Sequence, residues 1–180
     1  MSEQAEQREG NGGAKERGLW SIAAGAVVVD DVGRVLLVRN RYGVTRDRYL
    51  LPAGSARPGE MPDRVAERET LEETGLRVEV TNLLGVRVWG MASGEHNYFF
   101  MFQARLLSPV SELRPNFAEV SDARFFTRAE LDQLGSHETW AGALAIVYKA
   151  LDTSTSTWPN DAGLSSDSGV SSPDDWRLWM

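Results

Sequence analysis

Three glutamates, Glu69, Glu72 and Glu73, stand at i, i+3 and i+4 in the stretch MPDRVAERETLEET from Met61 to Thr74. A helix over that stretch turns by about 100° per residue. On the resulting wheel Met61, Pro62, Val65 and Ala66 define an apolar sector of roughly 140°, the width of a core-facing stripe. The three glutamates fall in the same sector, whereas Asp63, Arg64, Glu67, Leu71 and Thr74 project from the opposite side. Carboxylates at this spacing repel one another, and burying an unpaired charge is costly, so the cluster calls for a counter-charge. Arg68 borders the sector and supplies part of it. A divalent cation would supply the rest, and hard oxygen ligands in a chain without cysteine suit Mg²⁺ or Mn²⁺ rather than Zn²⁺. At the level of spacing, a solvated acidic helix and a cation site both account for the pattern.

A basic segment precedes this stretch. RNRYGVTRDR carries Arg39, Arg41, Arg46 and Arg48 against Asp47 alone. Beside an acidic cation site such a loop suits a polyphosphate, whose oxygens are shared between guanidinium forks and the ion. A solvated loop accounts for any single arginine equally well. Trp89, Tyr98 and Trp20 offer stacking surfaces for a nucleobase, whereas Phe99, Phe100, Phe102 and Phe126 read as core. His96 and His137 have no partner at a recognisable spacing and receive no role.

The elements that hold these residues follow from periodicity and punctuation. The helix over 61–74 has Pro62 at its first position, Glu60 and Asp63 at its positive end and Gly75 as its C-terminal cap. Residues 22–29 and 34–39 are near-continuous apolar runs around the turn Asp30-Asp31-Val32-Gly33, and predict a hairpin of strands covered on both faces. Strands are predicted at 83–89 and 97–106, joined by the loop from Gly90 to His96. A short strand at 123–126 leads to Thr127, an N-cap with Glu130 three residues on, and a last helix occupies 138–151. Strands and helices mix without regular βαβ alternation, which predicts an α+β sandwich.

Composition bounds the rest. The chain has 180 residues, 42% hydrophobic and 25% charged, with no cysteine and a net charge of −7. A disulfide framework, a thiolate metal site and a cysteine nucleophile are excluded. The longest apolar runs, Ile22 to Val29 and Tyr98 to Phe102, fall short of the roughly 20 residues that span a bilayer. The N-terminus lacks the basic start and apolar stretch of a secretory signal, so a cytoplasmic location without membrane attachment is expected. An acidic balance weighs against duplex nucleic acid as a partner. Residues 1–18 read as a flexible segment and 19–151 as the domain. Residues 152–180 read as an acidic, Ser/Thr-rich tail, expected to be disordered despite Trp158, Trp176 and Trp179.

The residues from Gly54 to Leu76, GSARPGEMPDRVAERETLEETGL, resemble the signature of the Nudix hydrolase family, G-x(5)-E-x(7)-R-E-U-x-E-E-x-G-U with U a bulky apolar residue. Gly54, Glu60, Arg68, Glu69, Glu72, Glu73 and Gly75 stand at the required offsets, Leu76 fills the last apolar position, and Thr70 is the one soft departure. The preceding LLPAG is similar to the family's LPGG lead-in, with Ala53 in place of the first glycine. The resemblance implies a Nudix-type α/β/α sandwich with a mixed central sheet, and water attack on the pyrophosphate of a nucleoside diphosphate linked to another group. The ligands of a Mg²⁺ or Mn²⁺ ion would then be Glu69, Glu72, Glu73 and the Gly54 carbonyl, with Glu60 adding a contact and Arg68 orienting the carboxylates. Glu119, in AEVSDARFF before an aromatic-bearing strand, would take a metal-binding or general-base role, with Glu69 and Glu95 as competing bases. The NADH-type SQPWPF sequence does not follow the box, and the ADP-ribose type's proline is absent from a region that reads MASG. ADP-ribose, nucleoside triphosphates, dinucleoside polyphosphates and nucleotide sugars stay open as substrates. Homodimers are common in the family. A catalytically silent, nucleotide-binding regulator on the same fold is the alternative function.

Overall fold

A computed structural model describes residues 19–90, 94–152 and 176–179. Alternation along β1 (Trp20–Val29) sends Ala24, Ala26 and Val28 to one core and Val27 to the other, and all four side chains are fully buried. β2 (Val35–Asn40) does the same, with Leu36 on the first side and Val35 and Leu37 on the second. These apolar runs are therefore strands covered on both faces, as their composition predicts.

The remaining strands are β3 (Tyr49–Leu50), β4 (Ala53–Ser55), β5 (Val78–Gly90), β6 (His96–Leu106), β7 (Val120–Phe126) and β8 (Trp176–Trp179). The sheet runs β3-β2-β1-β6-β5-β8, with β4 also paired to β1 and β7 to β2. β1 and β6 are parallel from Trp20↔His96 to Val29↔Arg105, and the other pairings are antiparallel. On one face α1 (Pro62–Thr74) buries Val65 and Ala66 against Ala24, Val28, Ala104 and Phe125. On the other, α2 (Arg128–Leu131) contributes Leu131, and α3 (Ala141–Leu151) buries Ile146, Val147 and Ala150 against Val27, Leu37, Met101 and Phe126. The result is the α+β, α/β/α sandwich with a mixed sheet that the sequence implies.

Several expectations are corrected. The hairpin exists only at its turn, where Val29 opposes Val35 and the Asp30 carboxylate accepts from the Val32 and Arg34 amides at 3.1 and 2.7 Å. Beyond it β4 pairs with Ala23–Gly25, and β2 leaves to pair with β3 and β7. On α1, Met61 is 65% exposed and Thr74, expected to face solvent, is fully buried. The cause is tertiary: the chain around Arg114 crosses the helix C-terminus, where the Arg114 amide donates to the Thr74 carbonyl at 2.8 Å. The last helix starts at Ala141, because residues 135–139 form a turn in which Glu138 and Thr139 amides donate to the Gly135 carbonyl at 2.8 and 3.1 Å. Thr127 forms the expected capping box with Glu130. Within the tail, Trp176–Trp179 forms β8, in register from Val86↔Trp179 to Trp89↔Trp176. Trp158, the rest of that tail and residues 1–18 lie outside the described residues. Among the described residues no helix is long and apolar enough to cross a membrane.

Candidate active site

Pro62 starts α1 at its first position and Gly75 ends it in the left-handed region at φ 73°, with its amide donating to Leu71. Between them Val65, Ala66 and Thr70 seat the helix on the sheet, which carries Glu73 inward until it is 7% exposed. The last turn also anchors the approach to β7. The Asn116 amide donates to the Glu73 carbonyl at 2.8 Å and the Glu119 amide to Asn116 at 2.9 Å. This chain of backbone bonds brings Glu119 over the helix, and carboxylate oxygens of Glu69, Glu73 and Glu119 lie within 4.8 Å of one another.

The cluster is electrostatically loaded. Burial pushes the Glu73 carboxyl up to about 8, and the charges of Glu69, Glu119 and Glu72 add to it against one stabilising donor, the Ala53 amide at 3.1 Å. Burial likewise raises Glu69, while its bond to Arg68 pulls the other way. Partial burial, followed by the charges of Glu119, Glu73 and Glu69, raises the Tyr42 hydroxyl, a group beside the cluster that spacing arguments had no means of finding. Among the described residues Glu73 and Glu119 have no cationic partner within ion-pair distance.

Arg68 holds the flank. Its Nε and Nη2 grip both oxygens of Glu60 at 2.7 and 2.9 Å, and its Nη1 reaches Glu69 at 2.6 Å and Glu72 at 2.9 Å. The guanidinium holds Glu60 down to about 2. Arg57 completes the network, donating from Nη2 to Glu72 at 2.8 Å and from its amide to Glu60 at 2.9 Å. β4 presses on the carboxylates from the sheet side. A Cβ on Gly54 would lie 2.2 Å from the Glu69 carboxyl carbon, so a larger residue there must displace that carboxylate.

The structure therefore gathers Glu69, Glu73, Glu119 and Gly54, and sets Arg68, Glu60 and Glu72 beside them as an ion-pair network. Glu95 lies outside the carboxylate cluster, in the approach to β6. The arginines of the basic segment make contacts within their own chain. Arg39 donates to the Asp47 carbonyl at 3.1 Å, Arg41 donates to the Phe117 carbonyl and so ties down the segment bearing Glu119, and Arg46 pairs with Asp47 at 3.5 Å. Arg48 stacks over Trp140 at 5.6 Å. Trp20, 60% exposed, lies against His96 and Tyr98 with ring centroids at 5.2 and 5.5 Å.

Trp89 lines a cavity of about 270 Å³ that opens beside Ala53 and Gly54. Phe99, read from sequence as core, lines it too, together with Arg87, Asn97 and Trp140. Arg87 was not singled out by the sequence, although a strand places residues two apart on one face and so sets it beside Trp89. The cavity and the carboxylates lie on opposite sides of the Ala53–Gly54 backbone.

Residues 19–148 match the NUDIX domain. An uncharacterized Nudix hydrolase of Listeria monocytogenes is 36% identical over 87 residues, covering 48% of this chain and 50% of that protein. An NAD-capped RNA hydrolase, NudC, of Vibrio vulnificus is 32% identical over 107 residues, covering 59% of this chain and 37% of that protein. The chain matches about half or less of the length of these curated relatives. The crystal structure of a MutT NUDIX hydrolase from Burkholderia pseudomallei superposes with a TM-score of 0.60 at 26% identity, covering 72% of this chain and 97% of that one. With its signature folded into a carboxylate-bearing helix on a mixed sheet, the chain belongs to the Nudix hydrolase family.

Proposed function

We propose that the protein is a divalent-metal-dependent pyrophosphohydrolase acting on a nucleoside diphosphate linked to another group. The observation that carries this reading is the convergence of Glu69, Glu73 and Glu119, two of them without a cationic partner among the described residues and one buried. That donor set, hard, anionic and self-repelling, fits Mg²⁺ or Mn²⁺. Glu69, Glu73 and Glu119 would hold the ion, with Glu72 and the Gly54 carbonyl as further ligands. When bound, it would neutralise the phosphate oxygens and polarise the attacked phosphorus.

The chain's own residues supply the rest. Arg68 fixes Glu69 and Glu72 through charge-assisted bonds and uses Glu60 as its anchor, so the carboxylates are oriented before substrate arrives. Glu119, whose side chain makes no ion pair among the described residues, accepts a proton from the attacking water, with Glu69 as its competitor. Water adds to one phosphorus, the P–O anhydride bond breaks, and two phosphate monoesters leave. A small nucleotide-type substrate in the cytoplasm suits this chemistry better than duplex nucleic acid.

The test is a mass-spectrometric panel of nucleotides incubated with Mg²⁺ or Mn²⁺. Nucleoside monophosphate is expected to appear and to vanish with chelator. Glu73→Gln is expected to lower turnover by about 10³-fold or more, because the ion's contribution is several kcal/mol. An active Glu73→Gln protein would overturn the reading.

A further inference from the structure

The cavity beside Ala53 and Gly54 is lined and backed by hydrogen-bond donors. Among the described residues three buried side-chain nitrogens lack a partner: Arg87 Nε, Trp140 Nε1 and Arg48 Nη1. Arg87 and Trp140 line the cavity, and the Arg48 guanidinium packs on the Trp140 ring. All three groups can only donate. Arg87 has one polar partner, the Asn97 Oδ1 at 2.6 Å, and no carboxylate within ion-pair distance among the described residues. Its guanidinium rests on Phe99 at 4.9 Å and Trp89 at 5.7 Å. Burial lowers its pKa to about 10, which leaves it charged at neutral pH. An uncompensated buried cation is costly, and a group that brings acceptors to it recovers that cost.

The walls narrow the chemistry of that group. A bare phosphate would satisfy the arginines and leave the Trp89, Phe99 and Trp140 rings without a function. A flat ring with acceptors on its edge uses both, stacking on the aromatics while its edge meets the donors. The position completes the picture: Ala53 and Gly54 line the cavity, while the Ala53 amide bonds Glu73 and Gly54 abuts Glu69 on their other side. A ring seated here would lie against the same two residues that touch the carboxylates.

Building on the hydrolase reading of those carboxylates, we propose that this cavity seats the base of the substrate and that Arg87 selects a 6-oxopurine. The O6 and N7 atoms of such a base are adjacent acceptors that match a guanidinium fork, whereas adenine places an amino donor where O6 would be. Arg87 is thus a specificity residue, and the hydrolytic groups lie across the β4 backbone from it.

Binding in the absence of metal separates this from the chemistry. GMP, AMP and UMP are titrated into the full chain in chelator and followed by calorimetry. GMP is expected to bind about tenfold or more tighter than AMP, the discrimination one bidentate pair supplies. Arg87→Met is expected to erase the difference and Arg87→Lys to retain part of it, with melting curves confirming that both fold. Equal binding of GMP and AMP, tighter binding of AMP or UMP, no binding at millimolar concentration, or an unchanged preference in Arg87→Met would each overturn the proposal. A guanine preference without metal-dependent product would overturn the hydrolase reading instead. Product formed from ADP- and GDP-linked compounds with equal kcat/KM would overturn only the base assignment.

Discussion

Glu73 is the residue where folding and function conflict. Its carboxyl is shifted up to about 8 by burial and by its acidic neighbours, so between pH 4.5 and 8 the folded protein holds a proton that the unfolded chain has released. Stability in chelator is therefore fully present below pH 4.5 and is expected to fall as pH rises towards 8, as thermal melts across that range would register. Saturating Mg²⁺ is expected to flatten the decline, since the ion replaces the proton as the neutralising charge. Glu73→Gln keeps an acceptor for the Ala53 amide and removes the charge. Its melting temperature in chelator at pH 8 is expected to rise by a few degrees while the stabilisation by Mg²⁺ disappears. The repulsion among Glu69, Glu72 and Glu73 was legible from their helical spacing. That Glu119 joins them in place of Glu72 was not derivable from spacing, because it depends on the Asn116 backbone bonds that fold a distant segment over the helix.

At the level of elements, β4 and α1 work as a clamp in which the strand's backbone touches the helix's carboxylates. Gly54→Ala tests the clamp, because the added methyl would overlap Glu69 and must displace either β4 from β1 or the carboxylate from its Arg68 bond. A loss of about 1–3 kcal/mol in stability is expected from overpacking of this kind, with turnover falling by more than that loss would predict. Denaturant melts and steady-state kinetics on the same preparation separate the two. The ends of α1 were readable from Pro62 and Gly75, because a missing amide and a left-handed backbone are local requirements. The burial of Thr74 was not, since it is imposed by the Arg114 segment crossing from elsewhere in the chain. β3 and β4, at two and three residues, are too short to leave a periodic signal.

The whole molecule is a sheet whose centre is parallel and whose far edge is closed by the chain's own C-terminal stretch. The parallel pairing of β1 with β6 cannot be seen in either strand's pattern, and the apparent hairpin of β1 and β2 misled because a good turn says nothing of where the strands go afterwards. β8 covers the edge of the 13-residue β5 along Val86–Trp89. Ending the chain at Asp152 would leave that edge unpaired, and such a variant is expected to keep its far-ultraviolet spectrum but to self-associate in light scattering, as open edges do. One feature also bears on how such an enzyme diversifies. On the proposed reading, the groups that would recognise the base come from β5, β6 and the start of α3, and those that would cut come from α1 and the approach to β7. The two sets share a partition only two small residues thick. Substitutions among the cavity residues are therefore expected to change what the cavity binds without disturbing the carboxylates, and Ala53 and Gly54 are the positions where neither side leaves the other free to vary.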